Sequence, residues 1–438
     1  MKCLILAAGS GSRLRPRADC KPLYPLLGVP LIERVIRSAH QGGADEFVVV
    51  TGHAQAQVTS FLQELARRLG VTIETVANPH WARSENGQSV LAAAAQLQEP
   101  FLLTMADHLF DPELVRRLLA AGTPADGLTL AVDGKLDNPL VDPADVTRVR
   151  RRGDQIEAIG KGLQDCDGYD TGLFLCSPAL FHALRQAREG GDSTLSGAVR
   201  LLAARNKARA CAVDGLFWID VDDAAAASRA EQALLQRLRG KNNDGPVARW
   251  LNRPLSMRIS RQLARWPITP NQISLASFGL SLLASGLFML GGYPALLAGG
   301  ILAQLASIID GCDGEIARLK YQGSDFGGWF DAVLDRYADA LLLFGLTWHL
   351  LQQAYSPTVL ATGFAAIIGS FMLSYTADKY DGLMRRQAVA SNLRLGRDVR
   401  VLLIFLGAAS NQVFFTLALI AVLMNLETLR RVWICRHG

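Results

Sequence analysis

The chain has 438 residues, half of them hydrophobic, and 45 basic against 40 acidic side chains leave a net charge of only +5. That length predicts two or three domains rather than one. With so small a charge and no aromatic-interleaved basic tract, a nucleic-acid surface is excluded. Seven cysteines, Cys3, Cys20, Cys166, Cys176, Cys211, Cys312 and Cys435, form no CxxC pair, which excludes a zinc site and a disulfide framework. The N-terminus MKCLILAAGSGSRL lacks a long apolar core and runs straight into a strand-and-glycine pattern, against a cleaved signal peptide. Apolar runs crowd almost entirely after residue 270, so a soluble, cytosolic half is expected before a membrane half.

In the first half KCLILAA, EFVVVTG, TIETVAN, FLLTMAD, LTLAVD and GLFLC read as strands, with helical patterns such as LIERVIRSAH and SVLAAAAQL between them. The alternation predicts a Rossmann-like α/β domain over residues 1–240, with a largely parallel sheet and a ligand crevice at its strand ends. The first strand empties into LAAGSGSRLRPRADCKPL, where Gly9 and Gly11 let backbone N–H groups approach phosphates and Arg13 and Lys21 supply cations. Asp107 follows a strand in LLTMADHLF, and Asp220 and Asp222 stand in WIDVDD before a final helix. Their hard oxygens suit Mg²⁺ or Mn²⁺. Each could instead cap the helix that follows, and between Asp220 and Asp222 the pattern does not choose.

LAAGxGSRL followed by KPL resembles the sugar-nucleotidyltransferase family, which joins a nucleoside triphosphate to a sugar or polyol phosphate and releases pyrophosphate. The resemblance covers residues 1–238. It implies that Leu6, Ala7, Ala8, Gly9 and Gly11 line the nucleotide, that Arg13 and Lys21 act on its phosphates, and that Asp107 with Asp220 or Asp222 holds the metal. SENGQSV, with Asn86 and Gly87, and IGKGLQDCDGYDTGLF, with Lys161 and Asp170, resemble the CTP:inositol-1-phosphate cytidylyltransferases. Lys161 would bind the acceptor phosphate or be a solvated lysine after the turn at RRGDQ. His108 reads as a polar neighbour of Asp107 rather than a catalytic group. The nucleophile in this chemistry is an ionised phosphate, so positioning and charge neutralisation carry the rate.

A linker, KNNDGP, and an amphipathic helix occupy residues 241–266. Val247, Leu251, Leu255, Ile259 and Leu263 recur every four residues, with Arg249, Arg253, Arg258, Arg261 and Arg265 largely off that stripe, as in a helix lying at a membrane surface and kinked near Pro254. An all-α domain of six transmembrane helices is expected over 267–438, with spans near 273–291, 294–310, 332–352, 357–378, 399–410 and 412–427. The connections GGYP, QQAYSP and AASNQ carry no Lys or Arg, whereas 379–400 holds Lys379, Arg385, Arg386, Arg394, Arg397 and Arg400. By the positive-inside rule both termini and both sites face the cytosol from the inner membrane.

Between two of these apolar segments stands DGCDGEIARLKYQGSDFGGWFDAVLD, with Asp310 and Asp313 three apart and Asp331 and Asp335 four apart, each pair on one helix face. Charge at bilayer depth is costly, and four converging carboxylates call for one or two divalent ions. The stretch carries DxxDGxxARx8Gx3Dx3D in full, through Asp310, Asp313, Gly314, Ala317, Arg318, Gly327, Asp331 and Asp335, and so resembles the CDP-alcohol phosphotransferase family. The resemblance implies that Asp310, Asp313 and Asp331 are the principal metal ligands, with Asp335 as general base and further ligand. An alcohol would attack the β-phosphorus of a CDP-alcohol and release CMP. Gly314, with Ala317, would leave room for the substrate; of Arg318, Lys379, Arg397 and Arg400, all expected on the cytosolic side, some would form the acceptor-phosphate pocket or be merely cytosolic positive charge.

Together the halves resemble the bifunctional enzymes that make CDP-inositol from CTP and inositol 1-phosphate and then pass phosphoinositol to a second inositol 1-phosphate. A homodimer is expected from that family. Two alternatives stay open: transfer to a lipid alcohol of the bilayer, and an N-terminal half that only senses nucleotide beside a CDP-diacylglycerol-dependent synthase.

Overall fold

KCLILA forms β1 (Lys2–Ala7), in which every residue but the first is buried, as a strand covered on both faces requires. The computed structural model describes residues 1–14, 19–238, 245, 247–377, 380 and 396–436, and the chain divides into two units, Met1–Ala233 and Leu234–Gly438. The linker residues 241–244 and 246, with Lys379, Arg385, Arg386 and Arg394, lie outside the described residues.

In the first unit a small ribbon, β2 (Pro25–Leu26) with β3 (Val29–Pro30), follows β1 and leads into α1 (Leu31–Gly42). β4 (Glu46–Thr51), α2 (Gln55–Leu69), β5 (Thr72–Ala77), α3 (Asn86–Ala92) and β6 (Phe101–Met105) continue the alternation. After β7 (His108–Phe110) and α4 (Pro112–Ala121) come β8 (Leu128–Asp133), β9 (Arg148–Arg152), β10 (Gln155–Gly160) and β11 (Gly168–Cys176). The unit closes with α5 (Ala179–Glu189), α6 (Leu195–Ala203), β12 (Ala208–Ala212), β13 (Trp218–Asp220) and α7 (Ala224–Leu238).

The main sheet runs β5-β4-β1-β6-β11-β8-β12-β10-β9. Its first four strands are parallel, but β11 runs against both β6 and β8, and β9 and β10 form an antiparallel hairpin. The largely parallel sheet expected from the sequence is therefore a mixed one. The physical reason lies in the β9–β10 hairpin: RRGDQ turns the chain back at Gly153, so β10 runs opposite to β9, and β11 keeps that reversed direction and lies antiparallel to β9, β6 and β8. Leu4, Leu6, Val48, Val50, Leu103, Leu130 and Phe174 pack with side chains of α5 and α6 as one core.

The second unit is helical. A π-helical turn, Ala248–Asn252, leads into α8 (Arg253–Leu263), followed by α9 (Pro270–Met289), α10 (Tyr293–Leu319), α11 (Asp325–Gln353), α12 (Pro357–Tyr375), α13 (Arg397–Ala409) and α14 (Val413–Arg436). Thr269 and Gln272 form a capping box at the start of α9, with Pro270 at the position where a missing N–H costs nothing. On the same helix Ser277, Ser281 and Ser285 are buried; Ser277 donates to Ala306 O and Ser285 to Leu341 O, and these small side chains let α10 and α11 approach closely.

Among the described residues, α9, α10, α12 and α14 are long and apolar enough to cross a membrane. Two of the six expected spans fall short of that description. The helix at 397–409 has 13 residues, below the roughly 17 a straight span needs. α11 is 29 residues long but carries Asp325, Asp331, Asp335, Arg336 and Asp339 in its first half. The π-helical turn and α8 bury Asn252, Ser256, Met257 and Ser260 against α10 and leave Leu251 and Leu255 of the apolar stripe exposed, with Val247, Ile259 and Leu263 half-buried.

Candidate active sites

In the first unit β1 delivers Leu6, Ala7 and Ala8, all buried, to a loop in which Gly9 has no atom of the described residues, beyond its chain neighbours, within 4 Å of where a side chain would begin. Gly11 has φ +59°, and a Cβ there would sit 2.3 Å from that of Lys21, so the loop passes the lysine only as glycine. Lys21 Nζ lies 2.5 Å from both Asp107 Oδ2 and Asp222 Oδ1. Arg13 reaches Asp222 at 3.1 Å and Asp145 at 2.5 Å, and Lys161 takes the other Asp145 oxygen at 2.5 Å.

The ribbon of β7 and β13 places Asp220 opposite His108, and Val221 N donates to Asp107 O at 3.1 Å. Pairing of two short strands far apart in sequence thus brings Asp107 and Asp220 together. The caps are supplied by neighbours: Asp111 accepts from Glu113 N at the start of α4, and Asp223 from Ala226 N in the first turn of α7. Ligand atoms of Asp107, His108 and Asp220 lie within 4.8 Å of one another, and the buried Asp220 Oδ1 has no hydrogen-bond partner among the described residues. Two convergent carboxylates, one with an unsatisfied buried oxygen, fit a hard divalent cation. Asp222 instead faces Lys21 and Arg13.

Burial pushes the Asp220 carboxyl up to about 7, against the opposing pull of His108. Burial disfavours charge on His108, yet Asp220, Asp107 and Asp170 outweigh it and raise the imidazole to about 9. Burial lifts Asp170 to about 6. Lys21 is likewise desolvated, but Asp107, Asp220 and Asp222 hold it protonated above its ordinary range. The DTG stretch explains how His108 is seated: Gly172, at φ +73°, would place a Cβ 2.2 Å from the imidazole, and its N–H donates to Asp170. A cavity of about 400 Å³ opens beside these groups, lined by Arg13, Asn86, His108, Asp145, Lys161, Asp170, Asp220 and Asp222. Asn86 also accepts from Leu195 N at 2.8 Å, and Gly87 passes Ser193 O too closely for a side chain, tying α3 to the start of α6. Asp145 and the role of His108 were not legible as site features. Asp145 lies in an irregular loop, VDPADV, with no spacing to mark it.

In the second unit Asp310 and Asp313 stand on α10, Asp331 and Asp335 on α11. Oxygens of Asp310, Asp331 and Asp335 lie within 4.8 Å of one another, and the buried Asp331 Oδ1 has no hydrogen-bond partner among the described residues. An all-oxygen set with an unsatisfied member again fits Mg²⁺ or Mn²⁺. Asp313 is turned to Ser274, which donates to it at 2.5 Å, and Ser277 donates to Asp310 at 3.1 Å. Arg397, at the start of α13, places Nη1 2.7 Å from both Asp310 Oδ2 and Asp335 Oδ1. Its Nε lies 3.3 Å from Asp339, which also pairs with Arg400. Arg318 is half-buried on α10, its Nη1 3.3 Å from where Gly314 would carry a Cβ.

A smaller cavity of about 160 Å³ is bordered by Asp310, Asp335 and Arg397 together with Asn252, Arg253 and Ser256 from the juxtamembrane segment. There Arg253 and Ser256 hold the fully buried Glu315 at 2.9 and 2.7 Å. Ser274, Ser277, Glu315 and Asp339 were missed in the sequence because each lies outside the fixed positions of the signature.

Two family models match the chain: the MobA-like NTP transferase domain over residues 3–171 and the CDP-alcohol phosphatidyltransferase over residues 267–434. The chain is 39% identical to a bifunctional IPC transferase and DIPP synthase of Rubrobacter xylanophilus, covering 99% of this chain and 96% of that one. A protein of the same description from Aquifex aeolicus is 32% identical, with 98% and 97% covered. An archaetidylinositol phosphate synthase of Pyrococcus horikoshii is 35% identical over 179 residues, 40% of this chain and 88% of that one. The chain is therefore a transferase of the bifunctional IPC transferase and DIPP synthase family, with an NTP transferase domain followed by a CDP-alcohol phosphotransferase domain.

Proposed function

We infer that the protein makes a CDP-alcohol in its first half and consumes it in its second. In the first reaction a phosphate oxygen of inositol 1-phosphate attacks the α-phosphorus of CTP, forming CDP-inositol and expelling pyrophosphate. In the second, a hydroxyl of another inositol 1-phosphate attacks the β-phosphorus of CDP-inositol, its proton passes to Asp335, and CMP leaves. The product is a phosphorylated di-inositol phosphodiester. The observation that carries this reading is the presence, in one chain, of two separate carboxylate clusters, each beside a largely enclosed cation.

In the first half Leu6, Ala7, Ala8, Gly9, Gly11, Asn86 and Gly87 line the nucleotide, Lys21 and Arg13 neutralise its phosphates, and Lys161 and Asp170 take the inositol phosphate. Asp107 and Asp220 would hold Mg²⁺ there; Asp222 keeps Lys21 and Arg13 in place. In the second half Asp310, Asp331 and Asp335, with Asp313, would hold Mg²⁺ or Mn²⁺, while Gly314 and Arg318 border the CDP group and Arg397 the acceptor phosphate. When bound, these ions supply charge neutralisation at the transferring phosphorus. Six helices crossing the inner membrane, both sites on the cytosolic side, a boundary near residues 240–266 and a homodimer complete the proposal.

Similarity to an archaetidylinositol phosphate synthase favours one second reading, in which the acceptor is a lipid alcohol. Pyrophosphate and CMP release from the full-length protein separate the possibilities. Lys21→Met should stop pyrophosphate release, while Asp310→Asn should stop CMP release and leave pyrophosphate release intact. Pyrophosphate release that survives Lys21→Met would sink the first assignment, and label entering the organic phase would move the acceptor to a lipid.

A further inference from the structure

Arg397 is held at both ends. Nη1 bridges Asp310 and Asp335, each at 2.7 Å, while Nε faces Asp339 at 3.3 Å. Asp339 is one turn beyond the last aspartate of the signature, only 4% exposed, and fixed by Arg400, which is 2% exposed and also donates to Ser374 at 3.1 Å. The guanidinium therefore neutralises two of the four carboxylates proposed to hold the metal, and a divalent cation arriving there must take them from it. A buried charge stripped of its partners is strongly disfavoured, so Arg397 needs another carboxylate once Asp310 and Asp335 are engaged.

The geometry points to Asp339 as that partner and hence as a positioning residue: anchored by Arg400, it retains the Nε side of Arg397 when a metal ion claims Asp310 and Asp335. The released Nη1 side stays beside the cluster, its N–H groups open to a phosphate oxygen. Guanidinium and metal then share the site instead of excluding one another. This inference rests on reading Asp310, Asp331 and Asp335 as metal carboxylates.

The test is Mn²⁺ binding to the full-length protein in detergent, followed by electron paramagnetic resonance, in an Asp107→Asn background that silences the first cluster. Arg397→Gln should tighten Mn²⁺ binding and Asp339→Asn should weaken it, each by about tenfold for a charged hydrogen bond gained or lost. Asp339→Glu should restore most of the affinity. With Arg397→Gln already present, Asp339→Asn should have no further effect, which a merely structural role for Asp339 would not produce. In the otherwise native chain Asp339→Asn should raise KM for the phosphorylated acceptor more than it lowers kcat, with pyrophosphate release unchanged. An Asp339→Asn effect that persists without Arg397, or an Arg397→Gln protein with unaltered Mn²⁺ affinity, overturns the inference. If Asp310→Asn and Asp331→Asn also leave Mn²⁺ binding untouched, the metal reading itself falls with it.

Discussion

The two acidic clusters solve one electrostatic problem with different scaffolds. In the first unit Lys21 stands between Asp107 and Asp222, and in the second Arg397 stands between Asp310 and Asp335, each at hydrogen-bond distance from both carboxylates. The first is gathered from strand ends and loops, Lys21 lying 201 residues from Asp222. The second is built mainly on two consecutive helices, where a spacing of three or four residues already puts side chains on one face. A site on neighbouring helices is written in local spacing; a site at the end of a sheet exists only after distant strands have paired.

The comparison breaks most sharply if the sites are not independent. Asp335→Asn should lower CMP release by about 10² to 10⁴, the usual contribution of a general base, while pyrophosphate release continues. Lys21→Met should lower pyrophosphate release by about 10² to 10³ by removing a preorganised charge, yet leave transfer from supplied CDP-inositol intact. Parallel rate measurements on the two half-reactions check both.

Stability sharpens it further. Arg253→Ala strands the fully buried Glu315 and should destabilise the second unit by about 3 kcal/mol, read as loss of a folded detergent-solubilised protein on heating. Lys207→Ala removes an exposed, solvent-screened partner of Asp126 in the first unit and should leave the unfolding temperature unchanged.

A pH dependence should distinguish the first site. Asp220 titrates at about 7 and His108 at about 9, so in acid both carry protons that oppose a divalent cation. Raising pH removes them, and Mg²⁺ affinity of the first site should rise by about tenfold per unit below pH 7 and more gently up to pH 9, measured by calorimetry on the Asp310→Asn protein. Folding follows a separate sign. The raised His108 pKa stabilises the native state fully below its ordinary 6.5, and that contribution is lost as pH rises through about 9.

Much of this was legible beforehand, for physical reasons. β1, β4, β5, β6 and β8 each coincide with a short apolar run, and the signature aspartates fall on the helices their spacing demands. The direction of β11 was not, because an apolar run does not encode which neighbour it meets or which way it runs. Nor was Asp145, which matters only because a loop carries it between Arg13 and Lys161. Asp339 sits a further four residues along the Asp331 and Asp335 face, a step that periodicity alone would have allowed. The short helix at 397–409 shows the limit of hydropathy: it places Arg397 at the cluster, a task its length and apolar content do not reveal.

The central claim is that one chain both makes and consumes a CDP-alcohol. A phosphorus NMR time course of the full-length protein with CTP, inositol 1-phosphate and Mg²⁺, without added lipid, tests it most directly. The account predicts a CDP-inositol signal that rises with pyrophosphate and then gives way to a phosphodiester and CMP. A CDP-inositol signal that accumulates without decay, or the absence of pyrophosphate, would contradict it.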